Sequence, residues 1–579
     1  MYIRPVTIKR GRKRHAYWAL VESYRTERGP RQRVVAYLGQ MDPQGRLGVK
    51  HAAQGKEDRR YQRDLWEKTE PEWVEVDIQR LRVENARAFG GVWLGLELMD
   101  RLGLREFLDK HLPWEREEAP PSLMAATLVL ARLCEPSSEL HIAEHFYRHS
   151  ALSDLLGVPE ERVNEDRLYR TLDALWPHKE ALEVFLKNRL GTLFKLEYDL
   201  LLYDVTSTYF EGQAKRNPLA RHGYSRDHRP DCLQVCIALV VSKSGMPIGY
   251  EVFEGNRSDM KTLQPVVTVM EERYGKAARI WVVDRGMASQ ENVTFLREGG
   301  RRYIVGTPKA MLKRFERDLM AEKWPVVREG LEAKLCPSPD GEETFILCRS
   351  RDRREKERAM HDRFEKRIEE GLAAVQAQCE AKRCDPVVVA QRVGRLLGAN
   401  TRGAGAFKVE VETAPDGRAK VTWKKEEAWR AWARLSEGCY LLRSNITDWT
   451  PQELWKAYIQ LTDAEAAFRI QKSDLVLRPI WHQKEERVKA HILVCFLAYV
   501  LWKMLHLTCE QAGLGDEPRR VLGELSKLQV VDVVLPTKKG TAIRKRCVSR
   551  PNEHQAILLQ RLGLNLPAHL GTTECSGNF

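Results

Sequence analysis

With 579 residues, 43% of them hydrophobic and 30% charged, the chain is too apolar to be disordered and long enough for three or four cored domains. Its net charge of +14 favours a polyanionic partner, because each Lys or Arg that neutralises a phosphate releases condensed counterions. Twelve cysteines include no C-x2-C pair, which excludes a zinc ribbon or dense disulfide framework and suits a reducing compartment.

The charge is concentrated. Met1 to Trp18 holds six Lys or Arg and no acid, and Thr537 to Arg550 repeats that pattern. Charge alone leaves a solubilising surface as open as nucleic-acid binding. No apolar h-region follows the basic start, so no secretory signal is expected. Residues 15–39 predict a strand, a turn at Glu27-Arg28-Gly29-Pro30 and a second strand, giving a hairpin within a basic region 1–115. Residues 116–195 turn helical, with breaks at Pro136 and Gly157 and a cap at Asn164. Both a DNA reader and a plain packing domain fit that region.

The stretch 196–310 carries the most informative order of elements. LLLYDVT, holding Asp204, precedes LQVCIALVV, a tight turn at Ser242 to Gly245 and a third strand. A helix, the strand IWVVDR with Asp284, another helix and the strand YIVGTP follow. Three antiparallel strands, then helix, strand, helix and strand, spell a ribonuclease H-like α/β core in which the first and fourth strands are neighbours. Asp204 and Asp284 are therefore expected side by side. The loop Arg221 to Asp231 offers Arg226 and Arg229 to phosphate, although a plain surface loop reads as well. His222, His228, Cys232 and Cys236 invite a zinc site, but Cys232 and Cys236 share a strand in which four residues span roughly 13 Å, too far for one tetrahedral ion.

About 180 residues part Asp284 from the next candidate acid, Glu465, far more than a connection needs. The segments TFILCRS, FKVEVE, AKVTW and GCYLLRS predict a large mixed α/β insertion over 311–445. Its charged run Arg351 to Glu369 reads as an exposed helix. Trp423, Trp429 and Trp432 suit core packing better than stacking on an unpaired base.

In 446–510, Thr450-Pro451-Gln452-Glu453 forms a capping box with Pro at the first helical position. On one continuous helix of about 100° per residue, Tyr458, Leu461, Glu465 and Lys472 would share a narrow stripe. The apolar run His491 to Leu507 is slightly short for a bilayer span and reads as a buried core helix. A basic C-terminal region, 511–579, completes the chain.

Each acid alone is most simply a cap or solvated group. Brought together, Asp204, Asp284 and Glu465 would repel and raise one another's pKa unless hard cations sit among them. Two Mg²⁺ (or Mn²⁺) ions about 3.5–4 Å apart would serve in-line displacement at phosphorus.

The runs YDVTSTYFEG, VVDRGMAS, YIVGTP and AEAAFRIQKSDL followed by RPIWH resemble bacterial insertion-sequence transposases of the DDE class. The branch with a β-rich insertion and a Y-x2-R-x3-E-x6-K signature is the most similar, over about residues 200–510. The resemblance implies Asp204, Asp284 and Glu465 as catalytic metal ligands and Tyr458 and Lys472 as DNA contacts. Leu461 stands where the signature has Arg, so Arg469, four residues beyond Glu465, is proposed as its substitute. Also implied are double-stranded DNA partners (terminal inverted repeats and target), a homodimer on paired ends, no membrane, and a place on the bacterial nucleoid in the cytoplasm. A nuclease that cuts without joining, and an inactive DNA-binding derivative, are the alternatives.

Overall fold

The computed structural model describes residues 2–10, 13–26, 29–39, 74–114, 118–321, 323–339, 341–415, 417–538 and 541–575. Strands β1 (Tyr2–Arg10), β2 (Lys13–Thr26) and β3 (Gly29–Gly39) form an antiparallel meander, one strand more than the sequence pattern predicts. The turn residues Glu27 and Arg28, and most side chains of the basic N-terminal block, lie outside the described residues.

Strand β4 (Arg82–Ala88) leads into α1 (Gly90–Leu102), α2 (Leu104–His111) and α3 (Pro121–Cys134), then α4 (Glu165–Leu175) and α5 (Lys179–Phe194). The Asn164 side chain accepts from the Arg167 N–H at 2.9 Å, the expected N-cap of α4. The helical region thus begins earlier than residue 116.

The centre is a nine-stranded sheet. β5 (Leu200–Tyr209), β6 (Gln234–Ser242) and β7 (Pro247–Glu254) are antiparallel; α6 (Leu263–Tyr274), β8 (Ile280–Val283), α7 (Gln290–Glu298) and β9 (Arg302–Gly306) follow. Their spatial order is β7-β6-β5-β8-β9, with β8 parallel to both β5 and β9. This is the ribonuclease H-like arrangement the element order predicts. Every residue of β6 is buried, as its unbroken apolar run requires of a strand covered on both faces. Alternation along β5 divides its side chains between two cores: Leu200 and Leu202 join the larger, while Leu201, Tyr203 and Val205 meet Val266, Met270, Val293 and Leu296 from α6 and α7.

Much of the predicted insertion continues this sheet. β10 (Val326–Arg328), β11 (Leu331–Pro337), β12 (Thr344–Ser350) and, after α8 (Arg351–Ala381), α9 (Pro386–Ala399), the hairpin β13 (Phe407–Thr413) and β14 (Ala419–Lys425), and α10 (Glu427–Ser436), β15 (Cys439–Ser444) complete the segment. TFILCRS and GCYLLRS pair as β12 and β15, and β15 pairs with β9. α8, α9 and the hairpin build a core of their own around Ile368, Leu372, Val393 and Phe407, and a second small core gathers Leu312, Leu319, Trp324, Leu347 and Leu441 against the sheet extension. Trp423 and Trp429 pack against that core and Trp432 against Leu347 and Leu441, the packing role expected of them.

α11 (Pro451–Ile459) and α12 (Leu461–Ser473) precede α13 (Glu485–Gln511), α14 (Pro518–Leu525), β16 (Gln529–Pro536), β17 (Ala542–Val548), α15 (Glu553–Leu562) and β18 (His569–Cys575). Apolar nearly all round, α13 is long enough to cross a bilayer, yet most of its apolar window is buried against α1, α3, α4 and α14. β4 pairs with β16, so residues 82–88 complete the C-terminal sheet rather than the N-terminal region. Asp532, buried there, accepts from Asn85 Nδ2 at 3.1 Å and Arg546 Nε at 2.7 Å.

Candidate active site

The register of β5 against β8 pairs Tyr203 with Val283, so Asp204 follows that pair within β5 and Asp284 is the first residue past the end of β8, on neighbouring strands. Asp284 follows β8 directly and caps a short turn, Arg285–Met287. α12 packs across β5 and carries Glu465 on an exposed position.

Burial, reinforced by the charges of Glu465 and Asp284, raises the Asp204 carboxyl to about 7, against the Val205 N–H (2.8 Å to Oδ1) and the more distant Arg226. Arg226 is itself paired with Asp259. Among the described residues no Lys or Arg forms an ion pair with Asp204, Asp284 or Glu465, and Arg226, which acts on Asp204 only at longer range, leaves its carboxyl raised. That donor set of hard oxygens fits a divalent ion. The three are not among the described groups whose ligand atoms all lie within 4.8 Å of one another.

The helix carrying the third acid differs from expectation. The capping box is present, with Thr450 accepting from the Glu453 N–H and Glu453 from the Thr450 N–H. However, the run breaks at Gln460 into α11 and α12, so Tyr458 and Glu465 do not share one helical stripe. Tyr458 reaches the site from α11, its hydroxyl donating to Asp284 Oδ1 at 3.3 Å. Burial, then the Asp284 charge, raises its phenol. Gly306, in YIVGTP, makes that reach feasible: a Cβ there would lie 2.5 Å from the Tyr458 hydroxyl and 2.9 Å from the Arg285 amide nitrogen. Leu461 is buried at the start of α12, where a guanidinium would lack solvent.

The cations expected to meet DNA have acidic partners. Lys472 Nζ lies 2.8 Å from Asp227 Oδ1, which Arg478 also pairs with, and burial lowers the Lys472 ammonium against that partner's pull. Arg229 bonds Glu211 at 3.1 Å and Asp231 at 2.9 Å, and lies over the Tyr209 ring. Arg469 is exposed and, among the described residues, has no ion-pair partner. Asp227 and Asp259 were not singled out by the sequence reading. For Asp227 the Arg-Asp alternation of RHGYSRDHRPD was the available signal, whereas Asp259 lies outside that run; which acid meets which base is decided by folding.

A ribonuclease H-like sheet with one acid midway along β5, a second just past the end of the parallel strand β8, and a third on a helix across them, fits a nucleic-acid phosphoryl-transfer protein. The family profile described as "Transposase DDE domain" matches residues 195–501, just over half of the chain, and the chain belongs to that family. It is accordingly a DNA transposase, an enzyme that cleaves DNA and transfers strands, and it depends on divalent metal. The profile "IS1634 family transposase, N-terminal domain" matches residues 3–69, placing it among insertion-sequence enzymes, and a domain of unknown function matches 93–187. No curated protein matches the chain. Among solved structures it is similar to one described as a piggyBac transposase synaptic complex with hairpin DNA, at 9% identity and TM-score 0.35 over 79% of this chain and 82% of that one.

Proposed function

We propose that Asp204, Asp284 and Glu465 together hold two Mg²⁺ (or Mn²⁺) ions and that this centre both cuts the terminal inverted repeats of an insertion sequence and joins them to target DNA. The observation that carries this reading is Asp204: a largely buried carboxylate flanked by two more acids, with no cation paired directly to any of the three among the described residues. When bound, the ions supply activation of the attacking oxygen and stabilisation of the leaving one. Asp204 is fixed on a central strand by the Val205 amide, and Tyr458 restrains Asp284, so the protein holds two carboxylates ready before DNA arrives.

In the first step a water oxygen forms a bond to the end phosphorus and the 3′-oxygen leaves as a hydroxyl. In the second, that hydroxyl attacks a target phosphorus and displaces the target 3′-oxygen. One phosphodiester breaks as another forms, so no energy source is consumed. Arg469, exposed one turn beyond Glu465, is positioned to hold backbone phosphate in place of the signature Arg that Leu461 replaces. Lys472, Arg226 and Arg229 would contact phosphate by exchanging their present acidic partners. The enzyme acts as a homodimer on paired ends, on the bacterial nucleoid.

The test is strand transfer by purified protein with labelled element ends, plasmid target and Mg²⁺. Joined product is expected, and Arg469→Ala should lose end binding or cleavage. Cutting with no joined product would reduce the protein to a nuclease. Near wild-type activity in Arg469→Ala would remove that residue from the site.

A further inference from the structure

Segment 135–149 exposes two carboxylates, Glu135 and Glu144, and three imidazoles, His141, His145 and His149, that phosphoryl transfer does not use. We propose that Glu135, His141 and His145 form a site for a divalent transition ion of the Zn²⁺ class. α3 ends at Cys134, and Glu135 leaves the helical conformation; the Ser138 side chain then accepts from the His141 N–H at 3.3 Å and starts the next helical stretch. This reversal brings Glu135 Oε1 within 3.0 Å of His141 Nε2 and 3.9 Å of His145 Nδ1. A tetrahedral ion with bonds of about 2.0–2.1 Å spaces its ligand atoms roughly 3.3–3.4 Å apart, between those two distances. Small side-chain rotations would therefore admit the ion in place of the shared proton.

The two imidazoles are four residues apart and lie face to face, ring centroids 4.7 Å apart. Across Ile142–Phe146 the hydrogen bonding is π-type, the Tyr147 N–H reaching the Ile142 carbonyl at 2.9 Å. Such widened turns are frequent at functional sites. His149 stacks on His145 at 4.2 Å, and its Nδ1 is tied to the His145 carbonyl at 2.9 Å, which braces the ligand ring. All three ligands are exposed, so water can fill the fourth position. Because the set lies within eleven residues, little chain entropy is lost in assembling it.

A second group, Glu139 with His482 and His491, is buried and also has the spacing for an ion. There, Arg132 lies 3.5 Å from His491 Nδ1, and His491 Nε2 donates to the Leu477 carbonyl at 3.2 Å. A guanidinium in the coordination shell repels a dication, and both ring nitrogens are already engaged. That group is a structural network, and the exposed one is the metal site.

The experiment uses full-length, tag-free protein carrying Asp204→Asn and Glu465→Gln, which silences the carboxylate centre as a competing ligand set. Calorimetric titration with Zn²⁺ should find one equivalent bound, and Co²⁺ should give the visible absorption of a tetrahedral nitrogen and oxygen site. Adding His141→Ala with His145→Ala, or the shape-preserving Glu135→Gln, should weaken binding about 100-fold or abolish it. His149→Ala should cost less, about tenfold. Circular dichroism of each variant should match the parent, since every altered side chain is exposed. Zn²⁺ binding of the same stoichiometry and affinity in the double variant, or none in the parent, overturns the proposal.

Discussion

Replacing Asp204 with Asn should abolish cleavage while making the metal-free protein more stable, and the stability gain should depend on pH. Burial and the two neighbouring acids move the Asp204 carboxyl from its usual 3.8 to about 7. At ~1.36 kcal/mol per pKa unit that corresponds to about 4 kcal/mol, and partial exposure of the side chain reduces our working figure to about 2 kcal/mol. The folded state binds this proton more tightly than the unfolded chain does. Stability is therefore full below about 3.8, falls as pH rises, and has lost the whole amount above about 7. Asn carries no charge, so Asp204→Asn should remove that decline. Urea unfolding of the metal-free core transition at pH 5 and pH 8 measures it: the variant should exceed the parent by about 2 kcal/mol at pH 8 and by less at pH 5. Mg²⁺ should stabilise the parent at pH 8 and leave the variant nearly unchanged. A variant less stable than the parent at pH 8, or equally stabilised by Mg²⁺, would refute the idea that this carboxylate is held ready for a cation.

Other expectations follow from individual contacts. Tyr458→Phe deletes the 3.3 Å bond to Asp284 and should slow end cleavage about fivefold, near 1 kcal/mol; an unchanged single-turnover rate would dismiss a positioning role. Asp227→Ala leaves Lys472 and Arg478 without their shared carboxylate and should cost about 3 kcal/mol in urea unfolding, a loss below ~1 kcal/mol counting against the pairing. Burial, helped by Arg132, holds the His491 imidazole well below 6.5. The stability it confers is complete above 6.5 and declines as pH falls, by up to ~1.36 kcal/mol per pH unit. His491→Gln should flatten that decline between pH 6.5 and 5, and an unaltered slope would show that another group titrates there.

Local signals were legible where a short stretch of chain decides the outcome. The caps at Asn164 and Thr450 depend on side chains bonding amides three residues on, and both form as read. The strand LQVCIALVV forms as β6, and its unbroken apolar run suits the burial on both faces that the fold gives it. The order of strands and helices from Leu200 to Gly306 was enough to predict the sheet topology, since few connections of that length are unknotted and right-handed. The helix break at Gln460 was not legible: Tyr-Ile-Gln-Leu-Thr has no Pro or Gly, and the residue keeps right-handed helical angles.

What this sequence determines unaided is therefore the kind of sheet, two acids on its neighbouring central strands, and a helix able to bring a third; that β5 runs on past Asp204 to Tyr209 is seen only in the fold. Folding alone decides that β12 and β15 extend the core sheet, that β4 joins β16 over four hundred residues later in the chain, and that Asp227 rather than DNA meets Lys472 in this state. The physical reason is range. Caps and periodicity are settled within a few residues, whereas strand edges and charges choose among all the partners that the packed chain brings near them.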